Sequence, residues 1–291
     1  METTQIVKSR LILNLVLLLA LVGLALYAYF RPTEEKTPEI AISQLKRGDI
    51  DRVRLQRGSD VDVQMEKRNG TWFMSRPYQT RVDPLQVDRL LDIAMATASD
   101  KFPAENLSRY GLDPALVRVT LNDQSIAFGN INEVTNEQYL ASGQNVYLAR
   151  TYHGYSIPVD VTRLISPKLL ADTEKPVAFD FGDWQAVKND KGAWTLQGKS
   201  PPDRDLAPTP DELNIWVTEW QLASALAVTP HQGTARGDRV TLKFRNGESA
   251  TFRILSRNPD VQLLRVEESM LYRLGADAGG RLLDPYRVAE R

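Results

Sequence analysis

Cysteine is absent from this chain. That removes disulfides, thiolate metal sites and a cysteine nucleophile together, and it suits an oxidising compartment where stray thiols are a liability. Histidine is scarce, with only His153 and His231, and neither has a second ligand residue at metal-site spacing. No sign of charge dominates: 36 basic residues stand against 37 acidic ones. That balance argues against a nucleic-acid surface, which needs a basic stripe. A phosphate-binding glycine-rich loop, a Gly-x-Ser-x-Gly elbow and a His-Glu-x-x-His helix are all missing. Long apolar runs are missing too, with one exception.

The exception is Leu11 to Phe30, LILNLVLLLALVGLALYAYF, which carries no charge. Twenty residues at helical rise reach about 30 Å, the thickness of a bilayer's hydrocarbon core. Tyr27, Tyr29 and Phe30 close the run like an interfacial belt, and Pro32 ends a helix. Lys8, Arg10 and the amino terminus favour a cytoplasmic leader, partly offset by Arg31 and Lys36. The alternative is a cleaved signal peptide with Gly23-Leu24-Ala25 as its best site. That cleavage would leave an apolar stub, and the run exceeds the usual ~7–15 residue signal core. The reading is a cytoplasmic leader (residues 1–10), a transmembrane helix (11–30), a linker (31–47) and a body outside the membrane.

The body reads as one module used twice, over residues 48–173 and 174–291. Each copy opens with alternating strand sequence, Val53, Leu55, Val61, Val63 and Met65 in the first and Val177, Phe179, Phe181, Ala186 and Val187 in the second. A turn follows, Asn69-Gly70 or Asp190-Lys191-Gly192, and then Gly-x-Trp at Trp72 and at Trp194. Each turn leads to an amphipathic helix with the same start signal. Asp83-Pro84 precedes a stripe of Val87, Leu90, Leu91, Ala94 and Ala98. Thr209-Pro210, with Glu212, precedes Leu213, Trp216, Val217, Trp220, Ser224 and Ala227. Strands resume in register: Val117, Val119 and Leu121 with Val240, Leu242 and Phe244; Ile126 to Gly129 with Ala250 to Arg253; Tyr139-Leu140 with Leu263-Leu264; Val146 to Leu148 with Leu271 to Arg273. Short helical stretches close the copies at Thr162 to Asp172 and Arg281 to Asp284. The expected fold class is α+β: a transmembrane helix, then two tandem modules, each a mostly antiparallel sheet packed with one main helix.

The anchor, Gly70-Thr71-Trp72, the Asp83-Pro84 helix start, Tyr110-Gly111-Leu112-Asp113-Pro114, Phe128-Gly129, and Tyr139-Leu140 before Val146-Tyr147 together resemble an uncharacterised bacterial family, domain of unknown function 4340. The second copy departs from the pattern, with Thr229-Pro230-His231-Gln232-Gly233 in place of the Tyr-Gly-Leu loop. The resemblance implies an envelope protein anchored beside ABC-type transport systems of the gliding-motility kind. It brings no catalytic or binding residues with it.

The residues themselves point to no catalytic, cofactor or metal site. Tyr110, Leu112, Trp216 and Trp220 are candidate partner contacts, with core packing or turn formation as the alternative for each. Acidic pairs such as Glu34-Glu35 and Glu267-Glu268 read as solvated faces, and Asp203-Arg204-Asp205 as a charged surface loop. The leading expectation is a non-enzymatic accessory subunit at the bacterial inner membrane, with the N-terminus cytoplasmic, the body periplasmic and membrane-protein partners such as ABC-type transporter subunits. The alternatives are a carboxylate-dependent envelope hydrolase and a periplasmic ligand-binding module with its site between the two repeats.

Overall fold

The computed structural model describes residues 15–27, 39–58, 61–198 and 207–288. It divides into an N-terminal unit up to Glu39 and a body from Ile40 onward. In the N-terminal unit residues 15–27 form helix α1. Its side chains are apolar around the whole circumference, and all of them are exposed. Among the described residues no helix is long and apolar enough to cross a membrane. The ends of the expected span, 11–14 and 28–30, lie outside the described residues, as do Glu34-Glu35 and Asp203-Arg204-Asp205.

The body is α+β, built on two antiparallel sheets. The first contains β1 (Ile40–Ala41), β2 (Arg52–Arg57), β3 (Val61–Arg68), β4 (Thr71–Arg76), β5 (Thr80–Arg81), β6 (Thr97–Pro103), β7 (Val117–Leu121), β8 (Gln124–Ile131), β9 (Glu137–Ser142) and β10 (Asn145–Arg150). Its order is β1-β6-β10-β9-β8-β7-β2-β3-β4-β5. The second contains β11 (Pro176–Asp180), β12 (Trp184–Lys188), β13 (Trp194–Gly198), β14 (Ala227–Pro230), β15 (Asp238–Phe244), β16 (Ser249–Ser256), β17 (Val261–Arg265) and β18 (Met270–Leu274), in the order β13-β12-β11-β15-β16-β17-β18-β14. Read from opposite ends, both sheets carry one topology: three strands, a crossover through a helix to the far edge, then a four-strand meander. Each copy thus has more strands than its sequence suggests, because β6 lacks clean alternation and β14 is only four residues long.

The local signals behave as their chemistry requires. Asn69 and Gly70 both take positive φ, 48° and 81°, as a two-residue hairpin turn demands. Helix α2 (Pro84–Leu91) starts where the Asp83 carboxylate accepts from the Leu85 amide at 3.0 Å. It stops earlier than the stripe implies: Ala94 lies in a 3-10 turn, and Ala98 lies in β6, paired with Ala149. Helix α4 (Pro210–Leu222) opens with a full Thr209–Glu212 capping box. It ends before Ser224, which pairs instead with Lys168. Two further helices are α3 (Tyr152–Tyr155) and α5 (Ala276–Leu283). The stretch expected to be helical from Thr162 to Asp172 holds only the 3-10 turn Val161–Leu164.

The pairing of 167–169 with 223–225 has a counterpart in the first copy. There β1 lies against β6 through Ile40–Ala98 and Ala41–Thr97, and the Leu169 amide bonds the Ala223 carbonyl in the second. A few residues ahead of each copy therefore extend its far edge. One apolar cluster runs through both copies, from Ile42 to Leu283, and includes Trp72, Leu164, Ile165, Leu169, Trp194, Trp216 and Trp220.

The Tyr-Gly-Leu loop covers the outer face of the first sheet. The Tyr110 carbonyl lies over Gly129, where a Cβ would sit 2.2 Å from its oxygen. The second copy has Arg253 in the matching position and no such loop, so the glycine is required only where backbone crosses above it. A second substitution between copies proves more consequential. Phe128 is paired with Leu140, whereas its counterpart Phe252 is paired with Arg265. Both phenylalanines are fully buried, and Arg265 is buried as well.

A buried arginine–glutamate clasp beneath an inter-repeat cleft

Four charged side chains meet where the two copies join. Arg81 comes from β5, at the edge of the first sheet. Its backbone is held by pairing with Phe73 and by the adjacent Val82–Ile165 bridge. Arg265 ends β17, Glu268 lies in the 3-10 turn that follows, and Glu174 lies in the segment leading into β11. Their side chains are 5% (Arg81), 7% (Arg265), 9% (Glu268) and 12% (Glu174) exposed, so these charges interact largely out of reach of solvent screening.

Arg81 donates from Nε to Glu268 Oε1 at 2.5 Å. Its Nη2 donates to the carbonyls of Lys168 at 3.0 Å and Leu169 at 3.1 Å, and to the Tyr272 hydroxyl at 3.0 Å. Arg265 forks onto Glu174: Nη1 donates to Oε2 at 3.0 Å and Nη2 to Oε1. Nη1 also reaches the Leu169 carbonyl at 2.8 Å. Glu268 Oε2 accepts from Thr80 Oγ1 and from the Tyr272 hydroxyl, both at 3.0 Å. Glu174 Oε2 accepts from the Ala171 amide at 2.7 Å. Residues of the first copy (Thr80, Arg81) are thus bonded to residues of the second (Glu268, Tyr272) through charge-assisted, multiply satisfied contacts.

Two donors fall outside this accounting. Arg81 Nη1 and Arg265 Nε are buried and have no hydrogen-bond acceptor. Their nearest carboxylate oxygens lie 3.8 Å and 3.4 Å away.

Burial would push both carboxyls up, but the facing guanidiniums outweigh it and hold Glu268 and Glu174 below the ordinary glutamate range. For Arg81, burial works against the charge, and the Glu268 carboxylate more than restores it. Burial, opposed by Arg81 and aided by Glu268, pushes the Tyr272 phenol well up, so it stays protonated and donating. Glu174, Glu268 and Arg81 are accordingly charged at neutral pH.

Above the clasp opens a cleft of about 680 Å³ between the copies. Arg81, Arg265, Glu174 and Glu268 form part of its lining. Its other walls include Arg68, Phe73, Gln79 and Thr173 from the first copy and Glu248 and Glu267 from the second. Among the described residues no three His, Asp or Glu side chains converge as metal ligands would.

The residues singled out from sequence are distributed elsewhere. Trp216 and Trp220 are fully buried and form part of the core. Both indole N–H groups donate to the Leu282 carbonyl, at 3.1 and 2.8 Å, tying α4 to α5. Leu112 is buried, and Tyr110 packs between Phe102 (5.4 Å) and Tyr139 (4.7 Å) on the outer face of the first sheet. His153 lies buried within α3, and burial pushes its pKa down. The Glu267-Glu268 pair divides within its 3-10 turn: Glu267 is exposed, while Glu268 turns inward to the clasp. The solvated reading therefore holds for Glu267 and fails for Glu268. The clasp itself escaped sequence reasoning. It leaves no trace in the repeat register, which matches Tyr139-Leu140 with Leu263-Leu264; only the strand pairing puts Arg265 opposite Phe252, in the place that Leu140 takes opposite Phe128.

The sequence model described as Domain of unknown function (DUF4340) matches residues 72–235, from β4 to the loop after β14. No curated protein and no solved structure matches the chain. The matched segment covers more than half of the residues and includes the junction between the copies, and so the chain belongs to the DUF4340 family.

Proposed function

We propose that this chain is a non-enzymatic, membrane-anchored envelope protein that serves as an accessory, partner-binding subunit of an ABC-type transport complex. The observation that carries the reading is the composition of the Leu11–Phe30 run together with α1, whose apolar side chains are exposed on every face. Such a surface is costly in water and suited to lipid. The charge bias ahead of the run supports a cytoplasmic N-terminus and a periplasmic body. The ABC association rests on the family resemblance alone.

The clasp weighs against the hydrolase alternative. A glycosidase-type general acid needs a carboxyl with a raised pKa beside an ionised one. Glu174 and Glu268 are both held low by arginine. The cleft favours a ligand-binding role as the second reading.

The test is a C-terminal alkaline phosphatase fusion combined with crosslinking of the full-length chain in intact cells. The expected result is phosphatase activity, retention in carbonate-washed membranes and crosslinks to transporter membrane subunits. A soluble, phosphatase-inactive fusion refutes the anchor and its orientation. A membrane-bound chain crosslinked to no transport subunit refutes the accessory role.

A further inference from the structure

The tripeptide Arg-Asn-Gly occurs twice in the chain, at 68–70 and at 245–247. An asparagine followed by glycine is prone to lose its side-chain amide, because no Cβ on the next residue hinders attack by that residue's backbone nitrogen. Both triplets lie in exposed hairpin turns, the first between β3 and β4 and the second between β15 and β16. At each glycine the space where a Cβ would stand has no atom within 4 Å, so neither turn is shielded by its surroundings. Local sequence and crowding therefore do not separate the two sites. Hydrogen bonding does.

Asn246 is held at three points. Its Nδ2 donates to Glu248 Oε2 at 2.8 Å, and its Oδ1 accepts from the Glu248 amide at 3.0 Å. The nitrogen that would attack, that of Gly247, donates to the Phe244 carbonyl at 3.1 Å. Among the described residues, neither the Asn69 carboxamide nor the Gly70 amide has a hydrogen-bond partner. Residues 67–70 are all exposed, so little holds this hairpin tip against the backbone rotation that ring closure requires.

We propose that Asn69 is a site of spontaneous deamidation in the folded protein, and that Asn246, in the same tripeptide, is protected. The Gly70 nitrogen attacks Asn69 Cγ and closes a succinimide ring. The Nδ2 group leaves as ammonia, taking the proton that the Gly70 nitrogen gives up. Water then opens the ring. Cleavage between the nitrogen and Cγ leaves aspartate; cleavage between the nitrogen and the backbone carbonyl leaves isoaspartate, with the chain rerouted through Cβ and one methylene longer. Nothing is oxidised or reduced, and the net change is amide plus water to carboxylate plus ammonium. The product sets a new negative charge beside Arg68, which is paired with Glu66 and lines the inter-repeat cleft together with Thr71. In the isoaspartate form the extra methylene falls in the turn whose register pairs Arg68 with Thr71 and Lys67 with the buried Trp72. The inference goes beyond the accessory role and does not depend on it.

The experiment is ageing of the full-length chain in mild detergent at mildly alkaline pH, beside a sample unfolded in guanidinium chloride. Trypsin then releases the two asparagines at the head of peptides 69–81 and 246–253, the Arg76-Pro77 bond resisting cleavage. Mass spectrometry gives the converted fraction of each. In the unfolded chain the two sites are expected to convert at similar rates. In the folded chain Asn69 should convert at least about tenfold faster than Asn246, whose turn must first open. Glu248→Ala, which removes one of the three holds, should speed Asn246 and leave Asn69 unchanged. Equal rates in the folded chain, or an Asn69 that stays intact while the unfolded chain converts, refute the site. An Asn246 rate unmoved by Glu248→Ala refutes the protection assigned to its side chain.

Discussion

Replacing Arg81 with methionine should destabilise the body more than almost any other single change at a charged position. The substitution keeps an unbranched chain of similar reach but removes four hydrogen bonds: to Glu268, to Tyr272, and to the carbonyls of Lys168 and Leu169. Glu268 keeps Thr80, Tyr272 and a distant Arg265 Nε at 3.4 Å, while the quartet as a whole becomes net negative and remains buried. Removing one partner of a buried pair costs about 3–5 kcal/mol. Against a typical total of about 5–15 kcal/mol this is a large share, and in a body of this size it lowers Tm by about 10 °C. The double variant Arg81→Met/Glu268→Gln provides the internal control. It leaves the Arg265–Glu174 pair alone and neutral, so its cost should fall short of the sum of the singles by at least about 1 kcal/mol. Urea unfolding followed by tryptophan fluorescence gives all three values. A loss below about 1 kcal/mol for Arg81→Met, or strict additivity in the cycle, would refute the view that the clasp is a coupled, buried unit.

Four further outcomes follow from the same structure. Glu174 and Glu268 have folded pKa values below the ordinary 4.5, so their contribution is complete above that value and is lost as pH falls below it; acid unfolding midpoints should show this loss, and the Arg81→Met variant should lose less. Trp220→Ala should cost about 3–5 kcal/mol in chemical denaturation; Trp220→Phe should cost far less, because the Leu282 carbonyl still accepts from Trp216. Gly129→Ala should lower stability by about 1–3 kcal/mol through the Tyr110 carbonyl, whereas Arg253→Ala at the matching place in the second copy should stay within about 0.5 kcal/mol; comparable losses at both would contradict the loop-over-glycine argument. Thr209→Ala, which removes the capping box of α4, should cost about 1 kcal/mol in a thermal melt.

The parts of the fold that were legible in sequence are those written locally. Alternation located most strands of both sheets, Asn69-Gly70 located a hairpin, and Pro after Asp83 or Thr209 located both main helices. The repeat was legible because hydrophobic register survives when side chains change. Three features were not legible, each for a physical reason. Strands β1, β6 and β14 are defined by pairing across the chain, and a two-residue strand such as Ile40–Ala41 has no period to detect. Helix lengths were overestimated because Ala98 and Ser224 fit a helical stripe by accident and are claimed by sheet edges. The clasp was invisible because charge in isolation reads as surface: Arg81 sits in a polar stretch, and Glu268 beside a solvated neighbour. The sequence register, which matches Leu140 with Leu264, hides the position as well; the strand pairing that puts Arg265 opposite Phe252, where Leu140 stands opposite Phe128, is known only from the structure.

The two residues of β1 carry a mechanical consequence. They are the first residues of the body, and among the described residues their only strand partner is β6. Any pull transmitted along the N-terminal segment enters the body at that edge. The matching contact of the second copy, where Leu169 meets Ala223, is shielded from the same pull because it lies in the middle of the chain, behind the clasp. Load applied from the N-terminus would therefore peel β1 from Ala98 and Thr97 before it strained anything else. The body would gain a few residues of slack while its core stayed closed.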